Sequence, residues 1–242
     1  SEKQYALGAL DDWLGSQRRR GGLYVRVNGF GDSLGEQECI LLEKYPELGV
    51  VLPKVVSADY LSRSSEYYKL TSSRSVIGLI EDAAGLLSLP EILDLKLLCA
   101  VGLGLEDFLC HSVYNSEDVK KLTQRIRTEI ALNAMAQGIG AIDTISLDLS
   151  GGTKLKCEVL DARACGLTAK FSIHPSQITV INDGFYPSRV NVSKAHEIQK
   201  HFNSEDLDSG YIRMGNELIS PPKLKKLNLI RKYSKHHEFT KK

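Results

Sequence analysis

The chain lacks an excess of charge of either sign. Its 242 residues carry 31 basic and 30 acidic side chains, so nothing in the balance calls for nucleic acid or an acidic surface as partner. Long apolar runs are missing too. None approaches the roughly 18 residues that span a bilayer, which argues against a membrane protein, and no stretch has the make-up of a secretory leader. The five cysteines, at 39, 99, 110, 157 and 165, are odd in number, and no two have the close spacing of a zinc site or redox motif. A reduced, cytoplasmic protein is expected, with Cys99 a small core residue inside an apolar run. There is no linker rich in Pro, Gly or Ser and no low-complexity segment, so residues 1–242 read as one domain, with 189–242 a helical extension. The basic ending over 225–242 reads as a solvated helix face and frayed terminus rather than a nucleic-acid tail.

What is present is an alternation. Short β-rich runs at 23–27, 49–55, 75–80, 97–103, 141–147 and 168–173 are mostly continuous in hydrophobicity, as strands covered on both faces should be. Amphipathic stretches lie between them. Over 117–137, Val119, Leu122, Ile126, Ile130 and Ala134 fall on one stripe, with Ser116 as cap and Gly138 as stop. A second helix over 153–165 stops at Gly166, and another follows the N-V-S sequence at 191–193. Such alternation gives a parallel α/β fold. A doubly wound sheet and a (β/α)8 barrel both fit; a count of six strands by itself favours the former.

In either architecture the chemistry sits at the C-terminal ends of the strands. Those ends carry Arg26 and Asn28, Pro53 and Lys54, Glu81 and Asp82, Glu106 and Asp107, Asp143 with Asp148 beyond, and His174 with Pro175. Carboxylates are rarely buried unless paired or bound to metal. Two of them at neighbouring strand ends suit Mg²⁺, which keeps its other positions for water and substrate. An Arg on a nearby strand suits a bidentate hold on a substrate carboxylate. Each residue also has a plainer reading: strand-end carboxylates serve as helix caps, Lys54 as a surface charge rather than a Schiff-base lysine, Asp143 as a buried hydrogen-bonding group, and His174–Pro175 as a turn.

Several stretches, in order, carry a resemblance. V-R-V-N (25–28), V-V-L-P-K-V (50–55), G-L-I-E-D-A-A-G-L-L-S-L-P-E-I (78–92), G-L-G-L-E-D-F (102–108), G-I-G-A-I-D-T (138–144) and F-S-I-H-P-S-Q-I-T-V-I-N-D-G-F-Y-P-S (171–188) resemble the citrate lyase β-subunit-like proteins of the HpcH/HpaI aldolase superfamily. The resemblance implies a (β/α)8 TIM barrel, commonly in trimers. It implies Mg²⁺ as cofactor and carbon–carbon lyase activity on malyl-, citramalyl- or citryl-type thioesters of coenzyme A or an acyl carrier. Glu81 and Asp107 are then the metal ligands, and Arg26 the catalytic contact to the keto-acid carboxylate.

Two departures carry expectations of their own. The family's opening strands and its D-L-E-D-A-V motif do not occur here, and residues 1–14 resemble the helix that follows them. A piece of about 40 to 60 residues, the size of two βα units, is expected to be missing, and the open sheet edges left by it to be covered by a neighbouring subunit. The late G-K-M-I-D-x-P motif appears as G-N-E-L-I-S-P-P (215–222), with Ser220 where the family has an aspartate. This keeps open a second reading, a degenerate barrel that binds a thioester or small acid without turnover. A free-acid aldolase of the wider superfamily is a third.

Overall fold

In the computed structural model, residues 2–17, 22–110, 116–187, 192–193, 195–197, 212–214, 217–220, 222–227 and 230 are described. The chain divides into two compact units, Ser1–Ile181 and Asn182–Lys242.

The first unit opens with α1 (Glu2–Ser16) and then alternates strands and helices. Strands β1 (Tyr24–Arg26), β2 (Gly49–Leu52), β3 (Val76–Ile80), β4 (Ala100–Leu103), β5 (Gly140–Asp143) and β6 (Ala169–Lys170) form one sheet. They pair in parallel and strictly in chain order, β1-β2-β3-β4-β5-β6. A doubly wound sheet must reverse its strand order at a switch point. This sheet never does, so its progression is that of a barrel wall. Between the strands lie α2 (Gly35–Lys44), α3 (Ala58–Tyr67), α4 (Ala83–Leu87), α5 (Leu89–Asp94), α6 (Leu105–Leu109), α7 (Ser116–Gln137) and α8 (Thr153–Ala164). Helix α9 (Pro175–Phe185) follows β6.

The two faces of the sheet can be told apart by register. Partners across the ladders run Arg26, Val51, Ile77, Ala100, Gly140, and side chains on one strand alternate in direction. One face therefore carries Val51, Ile77, Leu79, Ala100 and Ile142, which pack as a cluster with Phe171. Arg26 belongs to this inner face, and Glu81, two residues past Leu79, continues it. The opposite face carries Val50, Leu52, Val101, Leu103 and Ala141, all buried. Strands β3 and β4 are buried along their whole length, as their unbroken hydrophobicity predicts.

The strands are shorter than the apolar runs, and each early ending has a cause. Beyond Leu52, Pro53 offers no N–H and Lys54 turns the chain with φ 51. Beyond Asp143 the main chain is taken up by Gln177, which is wholly buried and donates through Nε2 to the carbonyls of Ser146 and Asp148, both at 2.9 Å. The same amide accepts from the Ile173 N–H at 3.1 Å, which ends β6. On α7, Ile126, Ile130 and Ala134 are buried as expected, while Val119 and Leu122 are half-buried. Gly138 (φ 69) and Gly166 (φ 95) adopt the left-handed conformation of helix stops. The Ser116 side chain lies outside the described residues. Cys99 corrects the core expectation: it is exposed, because it precedes the first residue of β4 at the sheet's rim, near the Tyr24 hydroxyl at 4.0 Å. All five cysteines are free thiols.

In the second unit, β7 (Ile212–Met214) and β8 (Glu217–Ile219) form an antiparallel pair. Helical residues 222–227 follow, and Ala195, Ile219, Leu224 and Leu227 make a small core with Ile230. Most of the helix expected from Val192 to Phe202, and the chain from residue 231 on, lie outside the described residues. Among the described residues no helix is long and apolar enough to cross a membrane.

Candidate metal and keto-acid site

The strand-end residues separate into two kinds. Several have structural partners. Asp82 caps α4, accepting from the Gly85 N–H at 2.7 Å. His174 Nδ1 accepts from the Ser176 N–H at 3.2 Å and lies 2.8 Å from the Ser176 hydroxyl, shaping the start of α9 as a turn residue would. Asp148 accepts from Ser150. Asp143 is fully buried in an ion cluster. Arg127 donates to it in bidentate fashion, Nε to Oδ1 at 2.8 Å and a terminal nitrogen to Oδ2 at 2.9 Å. Lys170 Nζ donates to the same Oδ2 and to the Thr144 carbonyl, both at 2.8 Å, with Glu158 3.6 Å away. These charges lie between the sheet and α7 and α8, and Asp143 is the buried hydrogen-bonding residue of the plainer reading.

Glu81 is of the other kind. It is 5% exposed, yet its Oε2 has no hydrogen-bond partner. Burial without full compensation disfavours the ionised form, and the Glu81 carboxyl is raised above its ordinary value. Burial is the largest cause. The nearby Arg26 charge opposes it, Asp107 adds to it, and the Lys54 charge and main-chain N–H oppose it. The structure thus brings Arg26, Lys54, Glu81 and Asp107 within electrostatic reach of one another, from the ends of β1, β2 and β3 and the first turn of α6. Arg26, Lys54 and Asp107 are exposed, so the ring faces solvent around one buried carboxylate.

Local chemistry explains how this ring is held. Gly104, between β4 and α6, is the only kind of residue that leaves space for Glu81: a Cβ there would stand 2.6 Å from the Glu81 Cγ. The Leu105 N–H, two residues before Asp107, donates to the Thr144 hydroxyl at 3.3 Å. Lys54 is held at positive φ, a conformation that costs a non-glycine residue energy and clusters at functional sites.

A divalent cation is testable against this donor set. An orphaned buried carboxylate oxygen beside a second, exposed carboxylate supplies two hard oxygens and open positions. That fits Mg²⁺, which commonly takes one or two protein carboxylates and fills the rest with water and substrate. Among the described residues no three His, Cys, Asp or Glu side chains gather as a closed metal cage. A separate cavity of about 140 Å³ is bordered by Leu7, Leu10, Arg26, Asn28, Glu38 and Leu41, without Glu81 or Asp107.

Glu38, Tyr68, Arg127 and Lys170 were not singled out from the sequence. A signal existed for two of them. Glu38 falls in the buried stripe of α2 with Leu41, Leu42 and Tyr45, and Arg127 sits beside Ile126 in the buried stripe of α7. A charged residue at a core position of an amphipathic helix implies a buried partner.

Comparison with known proteins agrees with these motifs. The family model described as HpcH/HpaI aldolase/citrate lyase matches residues 8–175. The human mitochondrial citramalyl-CoA lyase is 31% identical over 83% of this chain; the alignment spans 65% of that protein's length. Among solved structures, CitE of Mycobacterium tuberculosis in complex with magnesium, acetoacetate and coenzyme A has 25% identity and a TM-score of 0.72, covering 94% of this chain and 82% of that one. The same organism's CitE with magnesium and pyruvate has 29% identity and a TM-score of 0.65, covering 78% of this chain and 77% of that one. The chain belongs to the HpcH/HpaI aldolase/citrate lyase family.

Proposed function

We propose that this protein is a Mg²⁺-dependent carbon–carbon lyase acting on a hydroxyacyl-CoA thioester of the malyl, citramalyl or citryl type, and that its fold is part of a (β/α)8 barrel. One observation carries the reading: the buried, unpartnered Oε2 of Glu81 next to Asp107 and Arg26. Glu81 and Asp107 would hold the metal. Bound there, it would supply Lewis acidity toward the carbonyl of the keto-acid fragment. Arg26 would hold that fragment's carboxylate through paired N–H donors, which orients it against the thioester enolate. The named ligands of the relatives, magnesium with pyruvate or with acetoacetate and coenzyme A, support this substrate class.

Within the class, a citramalyl thioester has the most support, from the name of the human relative and from pyruvate, the keto acid that its cleavage releases. We further read the protein as a cytoplasmic homotrimer. The free thiols support a reducing compartment, and trimeric assembly is what the family resemblance implies.

The test is direct. The purified full-length protein, given Mg²⁺ and citramalyl-, malyl- or citryl-CoA, should release acetyl-CoA with pyruvate, glyoxylate or oxaloacetate. Ser220 favours one other reading, a binding protein without turnover. Its hydroxyl has no pKa suited to relay a proton to the thioester α-carbon, and loss of such a group costs about 10²–10⁴ in rate. Tight binding of a thioester with no product from any of the three would establish that reading instead.

A further inference from the structure

Glu38 is a second buried carboxylate, and the proposed reaction makes no use of it. It lies in the inward stripe of α2 and is 5% exposed. Both oxygens are engaged. Oε1 accepts from the Asn28 main-chain N–H at 3.0 Å and from the Asn28 side-chain amide at 2.5 Å. Oε2 accepts from the Tyr68 hydroxyl at 3.0 Å. Tyr68, 2% exposed, also stands 3.1 Å from the Gly29 carbonyl. A phenol has one proton, so Glu38 and Gly29 share it.

These bonds converge on residues 28 and 29, just past the end of β1 at Arg26. Strand β1 is three residues long and, among the described residues, pairs with β2 alone. Its ladder stops with the Val27 N–H donating to the Val51 carbonyl at 3.2 Å. Past that bond the chain turns at Gly29, with φ 100. A strand of three residues has little of its own to fix the direction of its last side chains. Buried, charge-assisted hydrogen bonds do have that capacity, because they are short and directional. A carboxylate is also costly to bury, which only a full set of donors offsets.

We propose that Glu38 and Tyr68 form a positioning clamp for Arg26: they pin the end of β1 so that the guanidinium meets the keto-acid carboxylate squarely. The proposal rests on the reading of Arg26 as the carboxylate contact. It concerns Arg26 alone; Glu81 and Asp107 stand on other elements. Bidentate recognition depends on angle as much as distance, and a small misplacement of a binding group is enough to lose much of its effect. The clamp therefore sets affinity for the keto acid and leaves affinity for the metal alone.

The test is calorimetric titration of the full-length protein, first with Mg²⁺ and then, at saturating Mg²⁺, with pyruvate, glyoxylate or oxaloacetate. Tyr68→Phe, Glu38→Gln and Arg26→Lys are compared with wild type, and melting temperature is recorded for each. Tyr68→Phe should weaken keto-acid binding about tenfold, the equal of one lost hydrogen bond, with Mg²⁺ affinity within about twofold of wild type. Glu38→Gln keeps the shape and one acceptor, should behave the same way to a smaller extent, and carries the test if Tyr68→Phe does not fold. A variant that melts earlier yet binds the keto acid like wild type would make the clamp merely structural and overturn the proposal. Should Arg26→Lys bind the keto acid as tightly as wild type, the reading of Arg26 itself falls, a result distinct from failure of the clamp.

Discussion

Glu81 and Asp143 are both carboxylates buried at the tips of strands in one sheet, and they are treated in opposite ways. Asp143 faces α7 and receives Arg127 and Lys170 at 2.8–2.9 Å, so each of its oxygens is paired with a cation. Glu81 faces the inner side of the sheet and keeps an oxygen with no partner. Around Asp143 the charges close on themselves and nothing is left to offer a ligand. Around Glu81 the compensation is incomplete, and Arg26, Lys54 and Asp107 stand in solvent beside it. Burial of an acid does not by itself identify a site. The unbalanced buried acid at the strand ends is the feature on which the proposed site rests.

The contrast can be broken first at Glu81. Glu81→Gln should abolish Mg²⁺ binding and lower turnover about 10³–10⁴-fold, or about 4–5.5 kcal/mol, while the protein melts no earlier than wild type. A mutant that loses stability and keeps its turnover would make Glu81 a second Asp143. The next largest effect belongs to the closed cluster. Lys170→Met should cost about 3–5 kcal/mol of stability, as breaking a buried pair does, and the triple change Arg127→Met, Asp143→Leu, Lys170→Met, which leaves no buried charge of the three unpaired, should recover part of it. Denaturant melts measure both, and a cost below about 1 kcal/mol would mean that the cluster behaves like a surface pair.

The pH dependence of the metal-free protein sharpens the same difference. The Glu81 carboxyl is raised on folding, chiefly by burial, against an ordinary value of 4.5. A group raised in this way contributes stability that is fully present below its unfolded value and is lost as pH climbs through its folded value. Wild type should therefore lose stability relative to Glu81→Gln as pH rises from 4.5 through the folded value. A wild type that gains on the mutant over that range would contradict the assigned environment. The smallest effect is expected at Thr144→Val, which leaves the Leu105 N–H without its acceptor. It should cost about 1 kcal/mol and modestly weaken Mg²⁺ binding through Asp107, both readable in one calorimetric series.

Much of this was legible in the chain itself. Continuous apolar runs gave the buried strands, Gly138 and Gly166 their helix ends, and the position of Glu81 and Asp107 after such runs their nearness at the strand ends. Strand order was not legible in the count of strands, which fits two architectures; the resemblance of the motifs pointed to the barrel progression that the register then shows. Nor were the partners of buried charge. Asp143 could be read as a buried hydrogen-bonding group, but Arg127 and Lys170 reach it from 16 residues before and 27 after, a closeness that only packing creates. The clamp at Glu38 was hidden for the same reason: its donors, Asn28 and Tyr68, flank it at separations of 10 and 30 residues. Cys99 misled because an apolar run continues past the rim of the sheet, where composition no longer reports burial.

The most direct measurement is a crystal of the full-length protein soaked in Mn²⁺, an anomalous scatterer that takes the oxygen ligands of Mg²⁺. The account predicts an anomalous peak between the Glu81 and Asp107 carboxylates, about 2.0–2.2 Å from an oxygen of each. A peak bound elsewhere, or an Mn²⁺-saturated crystal in which Glu81 Oε2 meets a protein cation or an apolar side chain instead, would contradict it.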